Sequence, residues 1–127
     1  MSVKIKIMEN LSNNKTLTTE SGLTIVVTKK GDGAQVKSGD MVIVNYTGLL
    51  TNGAMFDSSL DRNEPFSFSV AAGMVIEGWD EGLQNLRVGD HATLIIPPSI
   101  GYGASGAGGV IPPNATLIFI IEVLSVK

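Results

Sequence analysis

Hydrophobic and polar residues alternate along much of this chain, and a period of two predicts β-strands. In the run 41–50, Val42, Val44 and Tyr46 fall on one face, whereas Met41, Ile43 and Asn45 fall on the other. Asn52-Gly53 follows directly and predicts a tight hairpin. Alternation or β-branched runs predict further strands at residues 3–7, 16–19, 23–30, 55–59, 66–70, 91–96 and 115–126.

One stretch has helical spacing instead. Between residues 75 and 86, apolar side chains recur at steps of three and four, at Ile76, Trp79, Leu83 and Leu86. We expect a helix over 75–86, with Gly89 as its stop signal. A single amphipathic helix among strands must bury its apolar face against a sheet. We therefore predict an α+β domain, with the chain's only tryptophan between helix and sheet.

The remaining segments connect these elements, and one of them is unusually long. Residues 99–114 are rich in glycine but also carry Ile100, Tyr102, Val110 and Ile111. Loops of this length are uncommon in compact domains unless they have a function. We expect this loop to contribute to a site.

Composition narrows the class of protein. The 127 residues suit one domain, and 43% of them are hydrophobic, enough for a core. The net charge of −3 argues against a nucleic-acid partner, and no basic cluster or long apolar run indicates a membrane partner. The chain has no cysteine, and its first residues do not resemble a signal peptide. We predict a soluble, cytoplasmic protein.

The residues offer little conventional catalytic chemistry. His91 is the only histidine, without a motif around it, so neither a metal site nor a Ser-His-Asp triad is indicated. The glycine-rich stretch 103–109 lacks the lysine of a phosphate-binding loop. Asp57 and Asp61 suggest acid/base work only by their spacing. The aromatic residues fit either a core or an apolar pocket for a small ligand, and the residues alone leave both open.

Six motifs, in order, resemble the FKBP-type peptidyl-prolyl cis–trans isomerases. They are VNYTG at 44–48, FDSS at 56–59, RNEPF at 62–66, VIEGWDEG at 75–82, GYG at 101–103 and IPPNATLIF at 111–119. Together they place the chain beside the small single-domain bacterial type. The resemblance implies a curved antiparallel sheet of five or six strands wrapped around one short helix. It also implies an isomerase domain over residues 21–127, preceded by an N-terminal extension over 1–20 that is partly strand-like or flexible.

The resemblance further implies an activity and a site. The protein would be a monomer that rotates X–Pro bonds in proline-containing polypeptides without cofactor or metal, and would be inhibited by the macrolides tacrolimus and rapamycin. Its catalytic residues would be Phe56, Asp57, Trp79, Tyr102 and Phe119. Its substrate- and macrolide-binding residues would be Tyr46, Phe56, Asp57, Arg62, Phe66, Val75, Ile76, Trp79, Ile100, Tyr102, Ile111 and Phe119.

Specific roles follow from the same resemblance. Trp79 would form the pocket floor, and the long loop would overhang the pocket. Asp57, held by Arg62 and Tyr46, would accept a hydrogen bond at the pocket edge. It would either polarise or orient the substrate carbonyl region, or only fix Arg62 and Tyr46 in place. The Ile76 N–H and the Tyr102 hydroxyl would bind substrate carbonyls. Two alternatives to an isomerase are a module that docks a proline-containing partner and a holdase chaperone.

Overall fold

The computed structural model describes residues 16–127, so the strand predicted at 3–7 lies outside the described residues. The elements in chain order are β1 (Thr16–Thr18), β2 (Thr24–Lys29), β3 (Met41–Leu50), β4 (Met55–Ser58), β5 (Phe66–Ser69), the helix α1 (Glu77–Leu83), β6 (His91–Ile96) and β7 (Leu117–Val126).

The strands form one antiparallel sheet in the order β1-β2-β6-β7-β3-β4, and β5 also pairs with β3. One edge of β3 bonds to β7 along its whole length. The other edge is divided, because Met41–Val44 pair with β5 whereas Thr47–Leu49 pair with β4. The segment between β4 and β5 leaves the sheet at this division and carries Arg62.

The core lies between the inner face of the sheet and α1. Val42, Val44 and Tyr46 alternate inward on β3, as the pattern predicts. Ala92, Leu94 and Ile96 on β6 are buried in the same way, and the buried residues Trp79 and Leu83 of α1 belong to the same core cluster. Burial of one face of each strand stabilises the fold because it removes apolar surface from water. The predicted α+β class is confirmed.

The sheet has seven strands in the described residues, whereas the family resemblance implied five or six. The short strand β1 accounts for part of the difference, because Thr16–Thr18 pair with Thr24–Val26. The predicted extension over 1–20 therefore contributes a strand to the sheet. The domain boundary at residue 21 stays a prediction.

The helix is shorter than predicted, and its stop signal was misplaced. Val75 and Ile76 precede α1, and the chain leaves the helix at Gln84 rather than near Gly89. Asn85 and Leu86 donate their N–H groups three residues back, to Gly82 and Leu83, so the last turn tightens. The Gln35 amide donates to the carbonyls of Gln84 and Leu86, at 2.9 and 2.8 Å. It thereby satisfies the Gln84 carbonyl at the helix end, whereas the Leu86 carbonyl also accepts the Val36 N–H.

Two connections bear on the site. The Asn52-Gly53 hairpin is confirmed: Gly53 has φ of 89°, which glycine adopts readily, and the Leu50 and Ala54 backbones pair across the turn. The loop 99–114 contains short 3₁₀ turns and a bridge between Ala107 and Ile111.

Within residues 16–127, no helix has the length and apolar character needed to cross a bilayer.

Candidate functional site: an aromatic pocket

A pocket of about 200 Å³ opens at the start of α1, on the inner side of the sheet. Several elements contribute to its wall: β3, β4, β5, β7, α1 with the segment before it, and the long loop. The lining residues are Tyr46, Phe56, Asp57, Phe66, Met74, Val75, Ile76, Trp79, Tyr102 and Phe119. Most are apolar, with a few polar groups, which is the usual form of a small-ligand site.

Trp79 is surrounded by the other aromatic rings. Its ring lies 5.0 Å from Tyr46 and 5.1 Å from Phe119, at interplanar angles of 84° and 89°. Phe66 makes a third edge contact at 5.9 Å. Aromatic pairs favour this edge-to-face geometry because the ring edge is positive and the ring face is negative. Within residues 16–127 the Trp79 indole N–H has no hydrogen-bond partner, so packing holds this side chain.

A polar network stands at one side of the pocket. The Tyr46 hydroxyl donates a short hydrogen bond to Asp57 Oδ2. Arg62 donates from Nη1 to Asp57 Oδ1 at 2.7 Å and from Nη2 to the Tyr46 hydroxyl at 2.9 Å. Each of the three side chains thus contacts the other two. The network presents a carboxylate at the edge of an otherwise apolar pocket.

The network also shifts the protonation equilibria of its members. Burial alone would raise the pKa of Asp57, but hydrogen bonds from Tyr46 and Arg62 and the guanidinium charge outweigh it and lower that pKa. Burial and the Asp57 carboxylate raise the pKa of Tyr46. Its hydrogen bonds to Asp57 and to Tyr46 raise the pKa of Arg62. At neutral pH the site therefore holds an anion, a cation and a neutral phenol.

The structure brings nine of the twelve predicted site residues into the pocket wall, and Arg62 contacts two of them. Ile100 and Ile111 of the long loop do not line it; they are 8% and 6% exposed and belong to the core. Tyr102 of the same loop does line it and is 40% exposed.

Sequence reasoning missed Met74, which lines the pocket and is 60% exposed. The turn before it is held by Asp80, whose carboxylate accepts the N–H groups of Ala71 and Gly73 at 2.9 and 3.2 Å. The apolar run Met74-Val75-Ile76 was a signal for this position, because it continues the matched segment by one residue.

Within residues 16–127 the chain is an antiparallel sheet packed on one short helix, with an aromatic pocket beside that helix. Comparison with known proteins identifies the class to which this fold belongs. A sequence model described as FKBP-type peptidyl-prolyl cis-trans isomerase matches residues 33–124. The chain therefore belongs to the FKBP-type peptidyl-prolyl isomerase family, and it is an isomerase.

Relatives and solved structures cover most of the chain. FK506-binding protein 1 of Dictyostelium discoideum is 51% identical over 84% of this chain and 99% of its own length. The peptidyl-prolyl cis-trans isomerase Fkbp12 of Drosophila melanogaster is 50% identical with the same coverage. The crystal structure of AtFKBP13 matches with a TM-score of 0.82 and 35% identity, over 89% of this chain and 99% of that one. FkpA from Escherichia coli also gives 0.82, at 38% identity, over 98% of this chain and 64% of its own.

Proposed function

We propose that the aromatic pocket is where this isomerase binds the proline of an X–Pro bond and lowers the barrier to rotation. The observation that carries the proposal is the set of aromatic rings packed around Trp79 in the pocket wall, with the Asp57 network at one side. The substrates would be proline-containing polypeptides, as in protein folding.

The reaction needs no bond to break. Rotation about a peptide bond costs roughly 18–20 kcal/mol because resonance gives the C–N bond double-bond character. In X–Pro the cis form lies only about 0.5–1 kcal/mol above trans, so both are populated, but they exchange slowly. A catalyst therefore has to bind the twisted amide more tightly than either planar form.

An apolar pocket favours the twisted amide. Twisting ends the resonance, so the carbonyl oxygen and the nitrogen carry less separated charge. Water stabilises the planar, more polar amide, whereas a site lined by Phe56, Trp79 and Phe119 does not. A barrier lowered by about 4–6 kcal/mol would accelerate rotation by about 10³- to 10⁴-fold.

The polar groups at the edge would orient the substrate. Ile76 immediately precedes α1 with an extended backbone, so its N–H is outside the helical hydrogen-bond pattern and would bind a substrate carbonyl. The half-exposed Tyr102 hydroxyl would bind another. Asp57 stays ionised beside Arg62, and we propose that its main role is to orient this edge of the pocket.

We further propose that tacrolimus and rapamycin bind in the same pocket as inhibitors. The family membership and the pocket lining support this, and the name of the Dictyostelium relative describes that protein as FK506-binding. Ile100 and Ile111, the loop residues whose side chains are buried in the core, would support Tyr102 from below rather than contact the macrolide.

The test is the cis-to-trans rate of a proline tetrapeptide, measured with and without tacrolimus. Wild-type protein should accelerate the reaction, and tacrolimus should abolish the acceleration. Tyr102→Ala removes a pocket hydroxyl and should reduce both the acceleration and the affinity for tacrolimus. Ile120→Ala is the matched control, because Ile120 is 50% exposed but lies on the strand face directed away from the pocket.

Acceleration that tacrolimus does not inhibit would contradict the shared pocket. Tight tacrolimus binding without acceleration would instead support a docking module.

A monomeric state, a cytoplasmic location and the domain boundary at residue 21 stay predictions from the sequence. Sedimentation, cell fractionation and an N-terminal truncation series test them in turn.

A further inference from the structure

The ion pair at the edge of the pocket is too exposed to hold itself in place. The side chains of Arg62 and Asp57 are 49% and 39% exposed. Exposed pairs contribute little by themselves, because water screens the charges and long side chains lose rotamer freedom on pairing. Arg62 nevertheless meets both Asp57 and Tyr46 in one geometry. Its backbone must therefore be positioned by something more rigid.

Ser59, fully buried just after β4, provides that rigidity. Its N–H donates to the Tyr46 carbonyl at 3.0 Å, and its Oγ accepts the Tyr46 N–H at 2.9 Å. The same Oγ donates to Asn45 Oδ1 at 3.1 Å. Ser59 thus bonds to both backbone groups of Tyr46, at the point where β3 is paired with neither β4 nor β5.

Ser59 also starts the turn that carries Arg62. Its carbonyl accepts the N–H groups of Arg62 and Glu64, at 3.2 and 3.4 Å. The turn closes at Asn63, whose N–H donates to the Leu60 carbonyl and whose φ is 51°. Such a left-handed residue is retained only where the surrounding bonds determine it. One buried residue therefore connects the Tyr46 backbone to the Arg62 backbone.

We propose that Ser59 is a positioning residue for catalysis: its buried hydroxyl fixes the 59–64 turn on Tyr46, so that Arg62 reaches Asp57 and the Tyr46 hydroxyl. Ser59 does not line the pocket, and it acts through Arg62. The inference rests on the proposed function, in which the Asp57 network orients the substrate edge of the pocket.

The test is a double-mutant cycle of Ser59→Ala and Arg62→Ala, with kcat/KM for a proline tetrapeptide measured well below the unfolding temperature. We expect Ser59→Ala to lower kcat/KM about threefold or more, and to lower it no further in the Arg62→Ala background, because residues that act as a unit are not additive. Ser59→Thr keeps a hydroxyl and should restore part of the activity.

Two further measurements separate positioning from general destabilisation. Carboxyl-carbon NMR should show the pKa of Asp57 moving up towards its ordinary value in Ser59→Ala. Val27→Ala, a buried change in β2 away from the network, is the control. It should lose stability while kcat/KM and the pKa of Asp57 stay as in wild type. If Ser59→Ala does not fold, Asn45→Ala replaces it in the cycle, because it removes the nearer acceptor of the Ser59 hydroxyl, at 3.1 Å, and leaves only the Tyr46 carbonyl at 3.4 Å.

The outcomes are distinguishable. If Arg62→Ala lowers kcat/KM but Ser59→Ala only destabilises, as Val27→Ala does, the positioning role is wrong and the proposed site stands. The same conclusion follows if the effects of Ser59→Ala and Arg62→Ala multiply. If Arg62→Ala leaves kcat/KM unchanged, the orienting role of the Asp57 network is wrong, and the role of Ser59 falls with it.

Discussion

Asp57 and Trp79 represent the two kinds of residue in the pocket. Asp57 is a carboxylate whose charge is retained against burial, because Tyr46 and Arg62 both donate to it. Trp79 is 4% exposed, and its ring is held by packing, because the indole N–H donates to no residue in 16–127. The contribution of Asp57 to stability should therefore depend on pH, and that of Trp79 on the volume of its side chain.

Acid should therefore act partly through Asp57. Its folded pKa is lowered, so its contribution to stability is fully present above the unfolded pKa of about 3.9 and is lost as the pH falls through the folded pKa. The pair is half exposed, so we expect a contribution of at most about 1 kcal/mol. Urea unfolding at neutral and acid pH should show a smaller acid loss in Asp57→Asn than in wild type. Asp61→Asn, in the turn that follows β4, should lose stability in acid as wild type does; equal acid loss in all three proteins would contradict the prediction.

Trp79→Ala should remove the pocket floor. Truncation of a buried tryptophan costs about 3–5 kcal/mol of unfolding free energy, because a cavity remains. Tacrolimus affinity, measured by calorimetry on protein that is still folded, should fall with it. Ile120→Ala should change stability by no more than about 0.5 kcal/mol and leave affinity unchanged. Wild-type affinity in Trp79→Ala would place the ligand elsewhere.

At the scale of elements, the close approach of α1 to β6 sets the position of the pocket floor. Gly78 and Gly82 face the sheet, and a Cβ on Gly78 would lie 2.7 Å from Ile96 Cγ2. A Cβ on Gly82 would lie 2.8 Å from Leu94 Cδ1. The glycines cost helix propensity but allow this contact, which brings Trp79 against the aromatic residues of the sheet.

Gly78→Ala should accordingly destabilise the protein although alanine is the better helix former. Helix propensity favours alanine by about 1 kcal/mol, but forcing an extra methyl group into a packed interface costs typically about 1–3 kcal/mol. We expect a net loss of stability in urea titrations. Glu77→Ala, at the exposed start of α1, should have little effect. A stabilised Gly78→Ala would mean that α1 can move away from β6.

At the scale of the whole molecule, the pocket exists only when distant parts of the chain are folded together. Tyr46, Trp79 and Phe119 come from β3, α1 and β7, and the unfolded chain has no equivalent site. A ligand that binds only the folded state stabilises all of it by mass action.

Tacrolimus should therefore raise the melting temperature of the domain in one cooperative transition. At a free concentration of about 100 times Kd, the expected stabilisation is about 2.7 kcal/mol. At that same concentration Tyr102→Ala should show a smaller increase than Ile120→Ala, because only Tyr102 lines the pocket. Equal increases in the two variants would contradict a role for Tyr102 in binding.

The sequence pattern predicted most of the elements, and the family resemblance carried by its motifs predicted most of the pocket. Alternation placed Val42, Val44 and Tyr46 on the inner face, because the side-chain period of a strand is set by its covalent geometry. Helical spacing placed Trp79 between helix and sheet. The matched motifs named nine of the ten lining residues, since each motif holds the residues of one local segment.

Where each segment ends, and which of its side chains are buried, depends on the tertiary structure. The helix ends at Leu83, and Gln35, distant in sequence, donates to the Gln84 and Leu86 carbonyls beyond it. Ile100 and Ile111 enter the core, whereas Met74 lines the pocket, because burial depends on what packs above each residue. Ser59 is one of two adjacent serines in the sequence, and only the folded chain sets its hydroxyl against Tyr46. The period of apolar residues along the chain reveals strands and helices. Contacts between residues distant in sequence leave no such period, so only the folded chain shows them.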